Sequence, residues 1–225
     1  MTAGAPQTAS VSRGARRRMQ TRTQLVEAAR EVIGTRGIDA TTIADITGAA
    51  DVGIGSFYNH FDSKEHLIET LVAQAIETHG ESLDGLVASV SDPAERFALC
   101  VRQTIRMADH DPVWAWFTVR AGLYVRELES GLGVRLLRDL GRGIETGRFT
   151  PRDVRSALVV IGGAVVAAMQ GRLLGIPDLP GDDLIAENLL RMLGVPAAEA
   201  QRLASRPLED CAAEPARTGM RGGVR

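Results

Sequence analysis

Residues 41–67 read TTIADITGAADVGIGSFYNHFDSKEHL, and this stretch decides the fold. Thr42 and Asp45 have the spacing of a helix capping box, which predicts that a short helix begins there. The segment that follows breaks this helix, and Asp51 within it is a residue type that tolerates the positive φ of a tight turn. A third short helix then carries Phe57 on its inward side. The pattern therefore predicts two short helices joined by a tight turn.

Upstream of this stretch, an apolar pattern at helical spacing predicts a longer helix that buries one face. The inward residues of that helix are Leu25, Ala28, Ala29, Val32 and Ile33. Together with Ile46, Phe57 and Phe61 they would form a small apolar platform beneath the third short helix. Three helices in this arrangement form a helix-turn-helix, which presents its last helix to a DNA major groove about 12 Å wide.

The same stretch resembles the DNA-binding signature of the tetracycline-repressor (TetR/AcrR) family, and the likeness extends over roughly residues 20–70. The pieces that match best are residues 42–46, 49–52 and 57–67. The resemblance implies an all-α fold with an N-terminal three-helix helix-turn-helix domain and a larger C-terminal helical domain for ligand binding and dimerisation. It also implies a sequence-specific DNA-binding transcriptional regulator, which we expect to be a repressor released by a small apolar or amphipathic ligand.

The resemblance further implies which residues contact DNA. Phosphate or groove-edge contacts are implied for Tyr58, His60 and Lys64, and a backbone contact for Thr42. Residues implied to face the bases are Gly53, Ile54, Ser56 and Asn59. The residue pattern agrees for Tyr58 and Asn59, because both lie between the inward-facing Phe57 and Phe61. The amide of Asn59 is suited to a bidentate pair with adenine.

Two positions depart from the family pattern. Asp51 stands where a turn glycine is common, and Gly53 stands where serine, threonine or proline is common. Gly53 and Gly55 each weaken the recognition helix by about 1 kcal/mol relative to alanine. We therefore expect a short recognition helix that DNA binding orders.

A basic segment precedes the first helix. The first 22 residues hold five arginines and no acidic residue, although the whole chain has a formal net charge of -2. We predict that residues 1–18 form a disordered arm and that Arg16, Arg17 and Arg18 bind phosphates. The alternative is an arm that is disordered and merely solvated.

The chain is predicted to contain two domains between flexible ends. Residues 19–70 form the helix-turn-helix domain, residues 71–204 form a helical domain of five or six helices, and residues 205–225 form a disordered tail. Hydrophobic residues make up 44% of the chain but aromatic residues only 4%. This composition predicts an aliphatic core of packed helices.

Aromatic residues concentrate in residues 113–128, and these are predicted to line a ligand pocket. The candidate ligand-binding residues are Trp114, Trp116, Phe117, Arg120 and Tyr124. Arg120 lies in an otherwise apolar stretch, so it requires a partner, either a neighbouring acid or a ligand carboxylate. The alternative is that the aromatic rings belong to the core. Arg102 and Arg106 are expected to be solvated.

Two apolar helices are predicted to form a homodimer interface. Residues 154–174 are apolar on nearly every side, and residues 183–193 offer a second apolar face. The candidate interface residues are Ile161, Val165, Ala168, Leu189 and Leu190. A two-fold axis would place two recognition helices roughly 34–36 Å apart, facing a near-palindromic operator in double-stranded DNA. The alternative is that both helices are simply core.

Other classes of function lack support in the sequence. The motifs G-x-S-x-G, H-E-x-x-H and G-x-x-x-x-G-K are missing, so we predict no enzymatic activity, metal or cofactor. The start lacks a signal-peptide pattern, and residues 157–169 are shorter than the roughly 20 apolar residues that span a bilayer. We expect a cytoplasmic protein without a membrane partner. Two alternatives remain: a DNA-binding regulator without a ligand, and a helical ligand-binding protein or enzyme whose N-terminal bundle is only structural.

Overall fold

Helices are the regular elements in residues 12–120 and 131–208, which are the residues that the computed structural model describes. This finding confirms the all-α fold. The helices are α1 (Arg13–Arg36), α2 (Ile43–Ala49), α3 (Ile54–Tyr58), α4 (Lys64–Leu86), α5 (Pro93–His110), α6 (Pro112–Arg120), α7 (Gly131–Glu145), α8 (Val154–Leu173), α9 (Asp182–Met192) and α10 (Ala197–Ala204). The chain divides into two units, Met1–Leu71 and Val72–Arg225.

A small apolar core holds the first unit together. Its α1 residues are buried at helical spacing, as predicted, except that Val32 is only half-buried. Ile46 of α2 and Phe57 of α3 are fully buried on the same platform. Phe61 lies just beyond the end of α3, and its ring centroid is 5.7 Å from that of Phe57. The platform under α3 is therefore confirmed.

The first helix begins earlier than the sequence predicted. Residues 13–18 were assigned to a disordered arm, but they form the first turns of α1. Ser12 caps this helix, because its side chain accepts a hydrogen bond of 3.2 Å from the backbone N–H of Ala15. Arginine is also a good helix former. The prediction of a disordered arm is wrong for residues 13–18, and residues 1–11 lie outside the described residues.

Helix α5 lies at the centre of the second unit and packs against α6, α7, α8, α9 and α10. Pro93 occupies its first turn, as predicted, and Asp92 caps it. The core around α5 is mainly aliphatic, with Phe97 and Phe149 in an edge-to-face contact. Helix α10 was not predicted, and its buried Leu203 belongs to this core.

One carboxylate in the second unit joins three helices. Asp182, at the start of α9, accepts hydrogen bonds of 3.1 Å from both Arg102 and Arg106 of α5, and of 3.0 Å from Arg172 of α8. Burial raises the pKa of Asp182, but the hydrogen bond from Arg102 and the charges of Arg106 and Arg102 outweigh it and hold that pKa below its ordinary value. The expectation that Arg102 and Arg106 are solvated is wrong, because Arg102 is buried and both are paired.

The C-terminal tail is anchored at its start. The Arg206 carbonyl accepts a hydrogen bond from Arg102, and the Arg206 side chain pairs with Glu95. The prediction that disorder begins at residue 205 is therefore wrong for Arg206. The rest of the predicted tail, residues 209–225, lies outside the described residues.

Helix α8 has 20 residues and is long and apolar enough to cross a membrane by length and composition alone. The length of this apolar stretch therefore does not exclude a membrane span, although the sequence analysis used it to do so. One face of α8 instead lies in the core of the second unit, as expected for the core helix of a globular domain. The buried residues on that face include Ala157, Leu158, Ile161, Ala168 and Met169.

Candidate DNA interface and ligand cavity

The turn between α2 and α3 is closed by backbone hydrogen bonds. Asp51 adopts a φ of 53°, in the left-handed region that the turn requires. The Val52 N–H donates to the Thr47 carbonyl at 3.0 Å, and the Asp51 N–H donates to the Gly48 carbonyl at 3.2 Å. These bonds end α2 in the manner of a Schellman motif, so that α3 starts almost immediately afterwards. The prediction of positive φ at Asp51 is confirmed.

Helix α3 has only five residues and presents most of them to solvent. Phe57 is fully buried and fixes the helix on the platform, whereas Ile54 and Tyr58 are 52% and 56% exposed. Gly53, Gly55 and Asn59 are exposed as well, and Ser56 is half-buried. Exposed apolar and aromatic side chains on an anchored helix mark a surface for a partner.

The predicted capping box at the start of α2 is present. The Asp45 N–H donates to Thr42 Oγ1 at 3.2 Å, and the Thr42 N–H donates to Asp45 Oδ2 at 2.9 Å. Arg36 donates to the same carboxylate at 2.8 Å. The hydrogen bonds from Thr42 and the nearby Arg36 guanidinium hold the pKa of Asp45 below its ordinary value. Thr42 is exposed, as its predicted DNA contact requires.

Lys64 has a structural role that the sequence did not predict. Its ammonium group donates to the carbonyl oxygens of Ile38 at 3.1 Å and Thr41 at 2.9 Å. These bonds hold the loop between α1 and α2 against the start of α4. An ammonium group has three N–H donors, and these bonds use two of them. The contact between Lys64 and a phosphate stays a prediction.

A groove beside the end of α3 brings several predicted DNA contacts together. It is lined by Gly14, Arg17, Arg18, Thr21, Asn59 and His60. Arg18 donates to the Asn59 carbonyl at 3.2 Å. Desolvation and the charges of Arg18 and Arg22 lower the pKa of His60. Arg16 is exposed on the same helix but does not line this groove.

The second unit contains a cavity of about 170 Å³ between α4, α5, α6, α7 and α8. Most of its wall is apolar, formed by Leu83, Phe97, Val101, Leu132, Leu136, Leu158, Ile161, Val165, Val166 and Met169. Thr104, Thr118 and Cys100 also line it. Burial raises the pKa of Cys100 to about 12, so this thiol is uncharged.

Four charged side chains form the polar part of the cavity wall: Asp84, Arg135, Arg138 and Asp139. Asp84 accepts from Arg135 at 2.9 Å and from Arg138 at 2.7 Å. Arg138 also donates to Asp139 at 3.0 Å. Burial raises the pKa of Asp84, but the hydrogen bonds from Arg138 and Arg135 outweigh it and leave that pKa low. Two guanidinium groups thus balance two carboxylates at the wall.

The described aromatic residues of the predicted ligand site do not line this cavity, and their contact with a ligand stays a prediction. Trp114 and Phe117 are buried in the core, and neither they nor Trp116 lines the cavity. Trp114 packs on His79 instead, with 5.0 Å between their ring centroids. Large aromatic rings also stabilise a core, because they bury a large area. The sequence pattern does not distinguish rings that pack in a core from rings that line a pocket. Tyr124 and the side chain of Arg120 lie outside the described residues.

The residues predicted for the dimer interface face inward. Ile161, Ala168, Leu189 and Leu190 belong to the buried core of their own unit, and Val165 packs against that core. Because these helices are apolar on several sides, the sequence pattern did not show which side faces outward. The exposed large apolar residues on the same helices are Val159 and Val160 of α8 and Leu184 and Met192 of α9.

Sequence reasoning missed the residues of the cavity wall. Arg135, Arg138 and Asp139 have the i, i+3, i+4 spacing of a charged helix face, which is usually solvated. The pairing of Arg135 and Arg138 with Asp84, far earlier in the chain, brings this face of α7 to the cavity. Thr104 and Thr118 lie within helices, where a threonine signals nothing about a ligand.

Two family profiles match the chain. Residues 25–71 match the bacterial regulatory proteins of the tetR family, and residues 92–206 match the tetracyclin repressor-like C-terminal domain. Together these matches include α2, α3 and every helix from α5 to α10. The matched ranges therefore hold α3 and most of the cavity wall, whereas Arg17 and Arg18 precede the first matched range.

Curated relatives match the chain over different lengths. The regulator TtgR from Pseudomonas putida is 42% identical over 60 residues, which is 27% of this chain and 29% of the relative. The regulator BetI from Brucella suis is 26% identical over 191 residues, covering 79% of this chain and 94% of the relative. The chain thus spans less than a third of the length of TtgR.

Among solved structures, the complex of RolR with resorcinol resembles this chain with a TM-score of 0.75 and 38% sequence identity. That alignment covers 87% of this chain and 98% of RolR. RolR without a ligand gives a TM-score of 0.73 at the same identity. The likeness therefore extends through both units.

Proposed function

Because the chain belongs to the tetracycline-repressor family of bacterial regulatory proteins, we propose that α3 reads a near-palindromic operator in double-stranded DNA and that a small ligand in the second unit releases the protein from it. The observation that carries the DNA-binding part is the arrangement of α3. Its Phe57 is fully buried, while Ile54, Tyr58 and Asn59 are exposed around it. A helix held in this way can enter a major groove without disturbing its own core.

The DNA contacts divide into residues that position the protein and residues that read bases. Arg17, Arg18 and His60 share a groove that suits a phosphate, whereas Asn59 and Ile54 have no charge and suit base edges. Tyr58→Phe should weaken binding to all sequences alike, because it removes one phosphate donor. Asn59→Ala should cost about 1–3 kcal/mol, and only where one particular base pair is present.

Fluorescence anisotropy with operator variants tests this division. Gln201→Ala, on the exposed face of α10, is the control and should bind like the wild type. An Asn59→Ala variant that loses affinity equally for every operator variant would contradict a base-reading role.

We propose that the protein acts as a homodimer through the exposed faces of α8 and α9. Val160 and Ala167 are exposed seven residues apart on α8, and Leu184 and Met192 are exposed eight residues apart on α9. Each spacing returns to one side of a helix. A two-fold axis through these faces would present two copies of α3 to two half-sites.

The cavity supports a ligand about the size of one substituted six-membered ring. An apolar cavity of about 150 Å³ holds a benzene molecule, and the cavity here measures about 170 Å³. RolR, the similar structure, binds resorcinol, which is a ring of this size with two hydroxyl groups. Apolar residues would enclose the ring, while the threonines and the charged group formed by Asp84, Arg135, Arg138 and Asp139 would meet its polar atoms.

The remaining parts of the proposal follow from this assignment. We propose that the protein is cytoplasmic, where its DNA is, and that it has no enzymatic activity.

The alternative of a regulator without a ligand leaves the cavity unexplained. Thermal denaturation with simple phenols separates the two, because a ligand that binds only the folded state raises the melting temperature.

A further inference from the structure

Two threonines line the cavity, and each donates its hydroxyl proton within its own helix. Thr104 Oγ1 donates to the Cys100 carbonyl at 2.8 Å, and Thr118 Oγ1 donates to the Trp114 carbonyl at 3.0 Å. A hydroxyl group has one proton and two lone pairs. A threonine hydroxyl bonded in this way offers a ligand a hydrogen-bond acceptor and no donor.

A buried histidine reinforces this arrangement at Thr104. Nε2 of His79 lies 3.1 Å from Thr104 Oγ1. Since the Thr104 proton goes to Cys100, Nε2 carries a proton and donates it to the hydroxyl. Burial lowers the pKa of His79 to about 4, so the imidazole is neutral. In the opposite tautomer the Thr104 proton would go to Nε2, and the hydroxyl would still present only lone pairs.

The charged part of the wall points to the same chemistry. Arg135 donates to Asp84 and Glu77, and Arg138 donates to Asp84 and Asp139. A ligand acceptor would have to compete with carboxylates for these guanidinium groups, and charge-assisted bonds are the stronger ones. A carboxylate retains further lone pairs when it accepts from arginine. Asp84 and Asp139 are therefore additional acceptors for a ligand that donates.

We propose that the cavity selects neutral ligands that donate hydrogen bonds, and that phenols are the class that fits, in preference to ethers and carboxylates of the same size. The inference rests on the proposed function, because it specifies the chemistry of the effector. An ether has no proton for Thr104 or Thr118, and a carboxylate would bring its charge to a wall whose guanidinium groups are already paired with carboxylates. A protonated amine would donate, but the carboxylates of this wall are already balanced by arginines, so its positive charge would stay uncompensated in a mainly apolar cavity.

A series of three probes tests the selection in the full-length wild-type protein. Resorcinol has two donors, 3-methoxyphenol has one and 1,3-dimethoxybenzene has none. Isothermal titration should show affinity falling along this series, by about tenfold for each neutral hydrogen bond lost. A ring with one hydroxyl and an ethyl group, 3-ethylphenol, matches the size of 3-methoxyphenol and should bind at least as well.

Two isosteric variants test whether the threonine hydroxyls cause the preference for phenols. Thr104→Val and Thr118→Val remove the acceptors while keeping the shape of the wall. At least one of them should weaken resorcinol about tenfold and leave 1,3-dimethoxybenzene within about twofold. The matching serine variant, Thr104→Ser or Thr118→Ser, should restore resorcinol binding. Circular dichroism checks that each variant is folded. If Thr104→Val unfolds because His79 loses its partner, Thr118→Val alone tests the role of the threonine hydroxyls.

The outcomes separate the two proposals. If no probe binds the wild type, the small-ligand function fails, and the selection rule fails with it. If the ethers bind as tightly as the phenols, or if neither valine variant changes the preference for phenols, the ligand function stands and the selection rule is overturned.

Discussion

The ammonium group of Lys64 closes the loop between α1 and α2 through two carbonyl oxygens. Replacing Lys64 with methionine keeps the packing of the stem and removes both bonds. We expect the free energy of unfolding to fall by about 1–2 kcal/mol, the net worth of such bonds. Denaturant titration measures it, and Lys64→Arg, which keeps the charge and the donors, should lose less. Equal stability of Lys64→Met and the wild type would contradict a structural role for this residue.

The same residue illustrates how a DNA contact can be separated from a structural one. Lys64→Met should also weaken DNA binding, but a disturbed loop would do that too. The salt dependence distinguishes the two causes, because a lost phosphate contact lowers the slope of log affinity against log salt by about one. An unchanged salt slope would show that the disturbed loop between α1 and α2 causes the whole loss of DNA affinity.

Asp51 stands in the turn at a φ of 53° and is exposed. Glycine reaches this region without a steric penalty, so Asp51→Gly should raise the free energy of unfolding by on the order of 0.5 kcal/mol. Asp51→Asn is the control for charge, because asparagine also tolerates positive φ. Thermal unfolding of the three proteins measures the effect. A destabilised Asp51→Gly variant would show that the aspartate has a further role in the turn.

At the scale of elements, Asp182 is the carboxylate that neutralises arginines from α5 and α8. Asp182→Asn leaves the buried Arg102 and the half-buried Arg106 without their carboxylate partner, so we expect a loss of about 3–5 kcal/mol in the free energy of unfolding. The neighbouring Asp183 is exposed, and Asp183→Asn should change stability by less than about 0.5 kcal/mol. Similar effects of the two substitutions would contradict this account.

The acid sensitivity of the fold follows from the same residue. The folded-state pKa of Asp182 lies below its ordinary value, so its contribution to stability is fully present above the unfolded pKa of about 3.9. That contribution is lost as the pH falls through the lower folded pKa. Unfolding measured between neutral pH and pH 3 should therefore show a smaller acid-induced loss in Asp182→Asn than in the wild type. An identical loss in both proteins would assign the acid sensitivity to other groups.

Local signals in the sequence predicted the elements that depend on neighbouring residues. The capping box at Thr42, the turn at Asp51 and the proline at the start of α5 all depend on contacts within a few residues. The pairs that hold the second unit together join residues far apart in the chain, such as Arg102 and Asp182. Spacing along one helix carries no information on such pairs.

At the scale of the whole molecule, the proposed dimer makes a prediction that separates outward from inward faces. Val160 is 49% exposed on α8, whereas the adjacent Ile161 is 2% exposed and lines the cavity. Val160→Glu should give a folded monomer with weak DNA binding, because two half-sites are then no longer held together. Ile161→Glu should destabilise the fold itself, because it buries an unpaired charge. Sedimentation and circular dichroism distinguish these outcomes, and a dimeric Val160→Glu variant would contradict the interface.

The candidate DNA interface was more predictable than the cavity for a physical reason. The platform and α3 come from one continuous stretch, so a pattern of buried and exposed residues identifies both. The cavity is assembled from five helices, and its threonines and charged residues have no common motif. The outward face of α8 was unpredictable because apolar residues occur on both its buried and its exposed sides.

Release of DNA by a ligand in the cavity is the central claim, and one measurement tests it most directly. Fluorescence anisotropy follows the full-length protein on a labelled near-palindromic fragment from upstream of its own coding sequence. We predict saturable binding that resorcinol or a simple phenol reverses, whereas 1,3-dimethoxybenzene at the same concentration does not. Specific binding that no phenol reverses, although the phenol demonstrably occupies the protein, would contradict the claim.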